Sequence, residues 1–254
     1  MTKSQLLKAT MVHGLALALA IAVASEAKAA ISPRATESGG MQETRDALEL
    51  SMIERVQQLK GDSHSYENLK KLMFSKSEMY ELRYKATTAL AKMSGSKAKP
   101  AMVQALQAPE WFMRNAGLIG LASFDRTEAL AWARKLLNDK ALVVRSAAVD
   151  VISKAHDTTS ANLLWQKLYS KENYRNSQSL YIRRHIVEAL ADLDGKTHTA
   201  KFIALLQDKD DSLHEPAMDA LEKITHQTVA KPGAPMQDRR AQWQKWYKTN
   251  KATL

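Results

Sequence analysis

Three titratable residues fall on one face of a predicted helix. His185, Glu188 and Asp192 are spaced three and four residues apart, so an α-helix would place their side chains in a row. An imidazole with two carboxylates can bind a metal ion or act in acid–base catalysis. Metal ligands usually converge from several elements, however, and one helix makes a poor closed site. We therefore interpret the three as part of a solvated helix face, and predict no catalytic residue, no metal site and no cofactor.

Other sequence patterns that carry chemistry are missing. The run HEPA at His214–Ala217 has no second histidine four residues after the first, so it is not a zinc-binding HExxH motif. No GxSxG, Walker or GxGxxG pattern occurs. The chain has no cysteine, which excludes disulfides, thiol nucleophiles, Cys-ligated zinc and iron–sulfur clusters. The resulting hypothesis is that the protein is not an enzyme.

The first residues have the organisation of an export signal. Two lysines precede the apolar run Leu15–Ala24, and Ala27–Ala29 (AKA) supplies a small-x-small cleavage pattern. The apolar run is shorter than the roughly 20 residues that span a bilayer. We predict a signal peptide over 1–29 that is cleaved after Ala29, a flexible leader over 30–40, no later transmembrane segment, and a product in the periplasm or outside the cell.

Five basic anchor residues recur at a nearly constant spacing through the middle of the chain. They stand 31, 31, 38 and 31 residues apart, at Arg83, Arg114, Arg145, Arg183 and His214. Around each anchor, an apolar residue or glycine stands one position before it and three, seven and ten positions after it, which traces one stripe of a helix. A second apolar helical segment precedes each anchor helix. Because one such pair cannot bury its apolar face alone, the pairs must stack.

The sequence therefore predicts an all-α solenoid of five antiparallel helix pairs over residues 62–228. A cap helix is expected before the pairs, over 41–61. A loop and a Trp-rich cap helix are expected after them, over 229–254. Trp243 and Trp246 fall on one helical face, with Tyr247 beside them. We predict that they cover the last repeat; an exposed aromatic anchor is the alternative.

The turn between the two helices of a pair carries a further signal. Six positions before the anchors stand Ser77, Ala108, Asp139, Ser177 and Asp208. A unit with Asp in the turn and Arg six residues later, as in Asp139 and Arg145, resembles a HEAT repeat of the short bacterial kind found in phycobilisome lyases. The resemblance covers about Tyr66–His226, and the C-terminal segment is similar to the cap of exported bacterial HEAT-repeat proteins.

In that family the Asp and the Arg form a hydrogen-bonded ladder between adjacent repeats. The resemblance implies a structural, inter-repeat role for Asp139, Arg145, Asp208, Arg83, Arg114 and Arg183. Asp208 fits with His214 in place of the Arg, but the other three units keep the Arg without the Asp. The sequence thus predicts an interrupted ladder, with apolar packing as the feature that all repeats share.

The resemblance also implies that the second helices line the concave, binding side of the solenoid. The predicted partner-binding face comprises Tyr84, Asn115, Asp150, Lys154, Arg184 and Glu188, all expected to be exposed. The fourth unit is seven residues longer than the others, near 170–179. Insertions in repeat proteins often lie on the binding side, so Tyr174 and Arg175 are further candidates; a merely tolerated loop is the alternative.

The net charge of +10 raises the possibility of an anionic partner. The polar positions of the second helices, however, mix acidic and basic residues almost equally, which is unlike a phosphate-binding stripe. Nucleic acid is therefore disfavoured as a partner. The sequence predicts an exported, non-catalytic scaffold that binds a protein or peptide in the cell envelope. The alternatives are a lyase or other enzyme built on HEAT-like repeats, and a basic adhesion or nucleic-acid-binding solenoid.

Overall fold

The computed structural model describes residues 40–60, 62–193, 195–229, 231 and 233–252. The predicted signal peptide and all but the last residue of the predicted leader lie outside the described residues. The chain divides into two compact units, Met1–Gln42 and Glu43–Leu254. The predicted repeats, over residues 62–228, lie entirely within the second unit.

The described residues form helices joined by short turns, with one small hairpin. The α-helices are α1 Met41–Glu49, α2 Met52–Lys60, α3 Ser65–Phe74, α4 Tyr80–Ser94, α5 Lys99–Leu106, α6 Trp111–Ala122, α7 Arg126–Leu136, α8 Leu142–Lys154, α9 Ala161–Leu168, α10 Ile182–Leu193, α11 Thr199–Leu205, α12 His214–Thr225 and α13 Met236–Asn250. The hairpin consists of β1 Tyr174–Arg175 and β2 Gln178–Ser179, which pair antiparallel between α9 and α10.

Consecutive helices pack in five pairs, from α3 with α4 to α11 with α12. The second helices of the pairs, which are α4, α6, α8, α10 and α12, also pack each against the next. Helix α2 packs on α4 at one end, and α13 packs on α11 and α12 at the other. This arrangement is an α-solenoid, and the predicted fold class is confirmed.

The apolar stripe found in the sequence forms the core of this stack. No residue at its four offsets from the anchors is exposed in any of the five units. Two glycines let α6 approach α5 closely. A Cβ atom at Gly117 would lie 3.0 Å from the Met102 carbonyl oxygen, and one at Gly120 would lie 2.6 Å from the Met102 sulfur. A side chain at Gly117 would press on the backbone of α5, and one at Gly120 would displace the Met102 side chain.

The single cap helix predicted over 41–61 is two helices, α1 and α2. Ser51 and Glu54 form a capping box at the start of α2: the Glu54 N–H donates to the Ser51 hydroxyl at 3.4 Å, and the Ser51 N–H donates to the Glu54 carboxylate at 3.2 Å. Arg55 then donates to the carbonyl of Leu50 at 2.9 Å. These bonds satisfy backbone groups that a helix break leaves open, so they stabilise the break.

The C-terminal helix buries Trp243 against the stack and leaves Trp246 half-buried. Trp243 is fully buried, and its ring meets that of Trp246 edge-on with centroids 5.4 Å apart. Arg239 of the same helix is paired with Glu215 of α12 at 2.8 Å. Helix α13 thus covers the end of the last pair. Among the described residues, no helix has both the length and the apolarity needed to cross a bilayer.

Candidate protein-binding surface

Each anchor arginine reaches forward to the next helix pair. The four forward pairs are Arg83 with Glu110 at 3.0 Å, Arg114 with Asp139 at 2.6 and 2.7 Å, Arg145 with Asn173 at 3.0 Å, and Arg183 with Asp208 at 2.7 Å. Arg45 of α1 makes the same kind of bond to Glu78 at 2.7 Å. Arg45 and the four anchor arginines therefore form a continuous ladder from the N-terminal cap to the fifth pair.

The anchors also bind carbonyl groups in the turns of their own units. Arg114 donates to the Ala108 oxygen at 2.9 Å, and Arg145 donates to the Asp139 oxygen at 2.9 Å. His214 donates through Nε2 to the Asp208 oxygen at 3.0 Å. Each anchor thus closes its own turn, and each arginine also holds the next unit.

The prediction of an interrupted ladder is wrong. Units without an Asp at the expected position use another acceptor: Glu110 stands four positions before its anchor, and Asn173 ten before. Ser177, the predicted turn residue of the fourth unit, lies instead in the hairpin. The seven extra residues of the fourth unit increase the distance along the chain between Asn173 and Arg183. Counting six positions back from Arg183 therefore gives Ser177, which is not the acceptor.

Burial and the ladder act in opposite directions on the acidic residues. Burial alone would raise the pKa of Asp139, but the bonds from Arg114 and from the Ala141 N–H outweigh it and hold the pKa below its usual value. The pKa of Asp208 is likewise lowered, because the bonds from Arg183 and the Asp210 N–H outweigh burial. Both carboxylates are therefore stabilised as charged partners of arginine.

The predicted partner-binding face is only partly exposed. Lys154, Arg184 and Glu188 are exposed, whereas Tyr84 and Asp150 are half-buried. Arg184 and Glu188 pair with each other at 2.8 Å.

Asn115, predicted to be exposed, is buried with 5% of its surface accessible. It accepts a bond from the Tyr84 hydroxyl and donates to the Val143 carbonyl, both at 3.3 Å. Asn115 therefore links three consecutive units and is a structural residue.

The three titratable residues on α10 have separate partners. His185 lies 2.9 Å from the Asp150 carboxylate of α8, Glu188 binds Arg184, and Asp192 binds Lys223 of α12. Two of these contacts join adjacent second helices. In the part of the chain that the structure describes, no group of three or more His, Cys, Asp or Glu side chains is arranged to hold a metal ion.

The insert in the fourth unit belongs to the ladder. Asn173 accepts the bond from Arg145, and the Tyr174 ring lies 4.8 Å from the Arg183 guanidinium. The hairpin turn, Asn176–Ser177, has φ angles of 51° and 64°, as a two-residue type I′ turn requires. Of the two predicted contact residues, Arg175 is exposed and Tyr174 is half-buried. The insert therefore stabilises two ladder contacts while presenting Arg175 to solvent.

An open cleft of about 800 Å³ lies between this hairpin and the loop after α11. Its walls are largely polar: Gln178 and Tyr174 lie on one side, and Asp208, Lys209, Asp210 and Asp211 on the other. Arg183 at its base is paired with Asp208 and lies 3.6 Å from Asp210. The charges at the base of the cleft thus belong to the ladder.

A row of exposed apolar side chains runs along the N-terminal ends of the second helices. We call Tyr80, Trp111, Val143 and Tyr181 the edge row; they stand two or three positions before their anchors and are 59%, 46%, 45% and 58% exposed. The fifth unit has Asp211 and Ser212 at these positions. The row therefore extends over four units and ends beside the cleft.

Three members of the edge row contact neighbouring side chains. The ring of Phe112 lies 5.8 Å from that of Tyr80 and 6.1 Å from that of Trp111. The Tyr181 hydroxyl accepts a bond from Ser146 of the preceding second helix at 2.9 Å. The Arg83 guanidinium of the ladder lies 5.0 Å from the Phe112 ring. The ladder thus contacts the aromatic cluster between the first two members of the row.

Sequence reasoning missed the edge row and three of the ladder acceptors, Glu78, Glu110 and Asn173. The row has a signal in the aligned repeats, because large apolar residues recur just before the buried stripe. These three acceptors leave no column in the alignment, since they stand five, four and ten positions before the anchors of their units.

Comparison with known proteins identifies a similarity to a repeat family. Residues 66–152 match the family model of HEAT repeats, a stretch that covers the first three helix pairs almost completely. No curated protein matches the chain. The match supports a helical repeat scaffold of the kind that often mediates protein interactions.

Proposed function

We propose that the protein is an exported, non-catalytic scaffold that binds a protein partner in the cell envelope through the edge row and the adjoining second helices. The edge row carries this proposal. Its exposed apolar side chains recur at nearly the same position in four successive units, and clustered rather than singly scattered apolar exposure is typical of interaction sites. Tyrosine and tryptophan are also enriched among the residues that contribute most to binding.

The second helices supply the polar border of this site. Arg184, Glu188 and Lys154 are exposed there, so both signs of charge are presented. A charged rim contributes mainly to the choice of partner and the association rate. The row would thus provide most of the affinity, and the charges most of the selectivity.

The test is capture of a partner from cross-linked envelope extracts, with the protein purified from an exporting host as bait. We expect one stoichiometric protein partner. Combined substitution Trp111→Ser and Tyr181→Ser should abolish its capture, because it removes two of the aromatic side chains of the edge row. Both side chains are exposed and neither supports the core, so the variant should still fold.

Two matched variants make this test specific. Exchanging the charges of one pair, Arg184→Glu with Glu188→Arg, keeps an ion pair on α10 but reverses the local charge pattern, and should weaken capture. Lys71→Glu, an exposed change on the first helix of the first pair, should leave capture unchanged. Capture that survives both the row and the charge-exchange variants would refute the proposal.

Export is tested separately. The two N-terminal lysines, the apolar run and the AKA sequence support cleavage after Ala29, so the purified protein should begin at Ala30 by mass spectrometry. Ala29→Phe should cause the precursor to accumulate, because signal peptidase requires a small residue there. A protein that keeps its first residues and remains in the cytoplasm would contradict the envelope part of the proposal. The likeness to the lyase-type repeats stays a prediction.

A further inference from the structure

The two helix layers of the repeats differ in charge. The first helices of the five pairs, which are α3, α5, α7, α9 and α11, carry eight basic and two acidic residues, a net charge of +6. The second helices, without the four ladder arginines, carry five basic and seven acidic residues, a net charge of −2. Each first helix packs on its second helix, so its exposed side chains point away from that layer. The positive charge of the repeats therefore lies on the side of the first helices.

Acidic residues in the turns neutralise only part of this charge. Asp125 pairs with Lys99 at 2.9 Å, and Asp157 pairs with Arg134 at 2.7 Å. Counting these two carboxylates with the first helices still leaves a net charge of +4. The excess is thus a property of this side of the repeats and is not cancelled by the neighbouring turns.

We call the exposed basic residues of the first helices the outer basic face; they are Lys70, Lys71, Arg126, Arg134, Lys135 and Lys201. The two arginines have acceptors within the protein, Asp157 for Arg134 and the Lys154 carbonyl for Arg126. The four lysines have no carboxylate partner among the residues that the structure describes. Four ammonium groups are therefore available to an anionic partner.

Aromatic rings position two of these lysines. The ammonium group of Lys135 lies 4.9 Å from the centre of the Trp132 ring, and that of Lys201 lies 5.3 Å from the centre of the Trp165 ring. A ring attracts a cation without neutralising it, so both lysines keep their full charge. No large apolar side chain of the five first helices is exposed, and the structure describes all residues of these helices. This side therefore offers charge without an apolar anchor.

These properties select among anionic partners. A protein interface has an apolar core inside its polar rim, which the outer basic face lacks. Nucleic acid is read mainly through the planar fork of arginine, and both arginines of this face already have acceptors. The free lysines are spread over the first, third and fifth pairs, and an ammonium group is a hydrated point charge without a preferred geometry. Such a set matches the diffuse charge of anionic lipid headgroups, which attract basic residues without fixed contacts.

We propose that the outer basic face adsorbs to the surface of an anionic phospholipid bilayer by charge alone, without inserting into it. Adsorption through the first helices leaves exposed residues of the second helices, such as Arg184 and Glu188, open to a protein partner. The lipid-binding surface is distinct from the edge row, so lipid adsorption and partner capture are independent properties of the protein.

The assay is flotation of the protein, purified from an exporting host, with lipid vesicles. Vesicles of phosphatidylcholine with about one third phosphatidylglycerol are compared with vesicles of phosphatidylcholine alone. We expect the protein to float only with the anionic vesicles at about 0.05 M salt. It should be released at about 0.5 M salt, because the screening length falls from about 14 Å to about 4 Å.

A triple variant locates the binding on the first helices. It combines Lys70→Gln, Lys135→Gln and Lys201→Gln, with one change in each of α3, α7 and α11. A lysine close to an anionic bilayer contributes roughly a factor of five to binding, so the loss of three should weaken vesicle binding by about a hundredfold. Glutamine is a good helix former, and far-UV circular dichroism should therefore be unchanged.

A second triple variant is the matched control. It combines Lys92→Gln, Lys154→Gln and Lys223→Gln, which are exposed lysines on the second helices of the same three pairs. Its net charge equals that of the first variant. Vesicle binding should change by less than about threefold, since these lysines face away from the adsorbed side and are screened.

Several results would overturn the proposal. Equal weakening in both triple variants would mean that only net charge matters, and no weakening in the first would place the lipid contact elsewhere, for example on α13. Equal binding to neutral vesicles, or binding that persists at high salt, would indicate apolar insertion, as by the run Leu15–Ala24. No binding to anionic vesicles would exclude lipid directly. Release from the vesicles by duplex DNA at an equal phosphate concentration would identify nucleic acid as the partner instead.

Discussion

Replacing Asp139 by alanine tests the physical importance of the ladder. This carboxylate accepts two bonds from Arg114, at 2.6 and 2.7 Å, and a third from the Ala141 N–H at 2.8 Å. Its side chain is only 6% exposed, and that of Arg114 is 16% exposed. The substitution therefore leaves a largely buried guanidinium without its counter-charge.

The expected loss depends on the bonds that Arg114 retains. Removing one partner of a fully buried ion pair costs about 3–5 kcal/mol. Arg114 keeps its bonds to the carbonyls of Ala108 and Pro109, at 2.9 and 2.7 Å, and is partly solvated. We therefore expect Asp139→Ala to lower the free energy of unfolding by about 2–3 kcal/mol.

The measurement is chemical denaturation followed by far-UV circular dichroism. Glu188→Ala is the matched control, because it removes the carboxylate of an exposed ion pair in which the side chains are 52% and 46% accessible. Such a pair contributes about 0.3–0.5 kcal/mol. A double-mutant cycle with Arg114→Ala should give a coupling energy of at least about 1 kcal/mol, since the two residues are in contact.

A loss in Asp139→Ala no larger than that in Glu188→Ala would refute this reasoning. Additive effects of Asp139→Ala and Arg114→Ala would do so too. Either result would mean that apolar packing alone holds the pairs together.

Three further predictions concern pH, packing and the C-terminal lid. The pKa of Asp208 is lowered in the folded state. Its contribution to stability is therefore present above its ordinary pKa of about 3.9 and is lost as pH falls through the lower folded value. Asp208→Asn should remove this contribution and so flatten the acid side of a plot of unfolding free energy against pH. Gly117→Ala should destabilise the protein by about 1–3 kcal/mol, since the new methyl group meets the backbone of α5, whereas Gly195→Ala, with open space around it, should not lower the thermal midpoint. Trp243→Ala should cost about 3–5 kcal/mol by removing a fully buried ring, and unchanged chemical denaturation would show that α13 does not stabilise the stack.

The stacked fold could be predicted because the apolar stripe depends on local periodicity and on a nearly constant repeat length. That the same four offsets face away from solvent in every unit requires nothing beyond helical geometry. The break between α1 and α2 was also present in the sequence as Ser51 and Glu54, but the helical spacing across it masked the signal. Helical periodicity was thus sufficient to predict the stacked pairs, but it hid the end of α1, where the capping signal of Ser51 and Glu54 competed with it.

The polar contacts between units could not be read in the same way. A carboxylate or amide can meet an arginine from several backbone positions, because side chains differ in length and turns differ in shape. Glu110 and Asn173 fulfil the role of Asp139 from different positions, so comparing fixed columns hides them. Asn115 illustrates the same limit, since its burial depends on Tyr84 and Val143 from the neighbouring units.

The forward direction of the ladder gives the stack two unlike ends. If the following unit is unfolded, the arginine of a folded unit lacks its forward acceptor and keeps unsatisfied N–H donors. Each folded unit therefore presents a guanidinium that the next unit can bind. Shortening the array from the C-terminal side would expose such a guanidinium, whereas shortening it from the N-terminal side would expose only a carboxylate or amide at the surface. The last anchor is His214, whose ring has at most two N–H donors where arginine has five, and it binds within its own unit. The ladder therefore has a forward direction in which each arginine contacts the following unit, and it ends at His214.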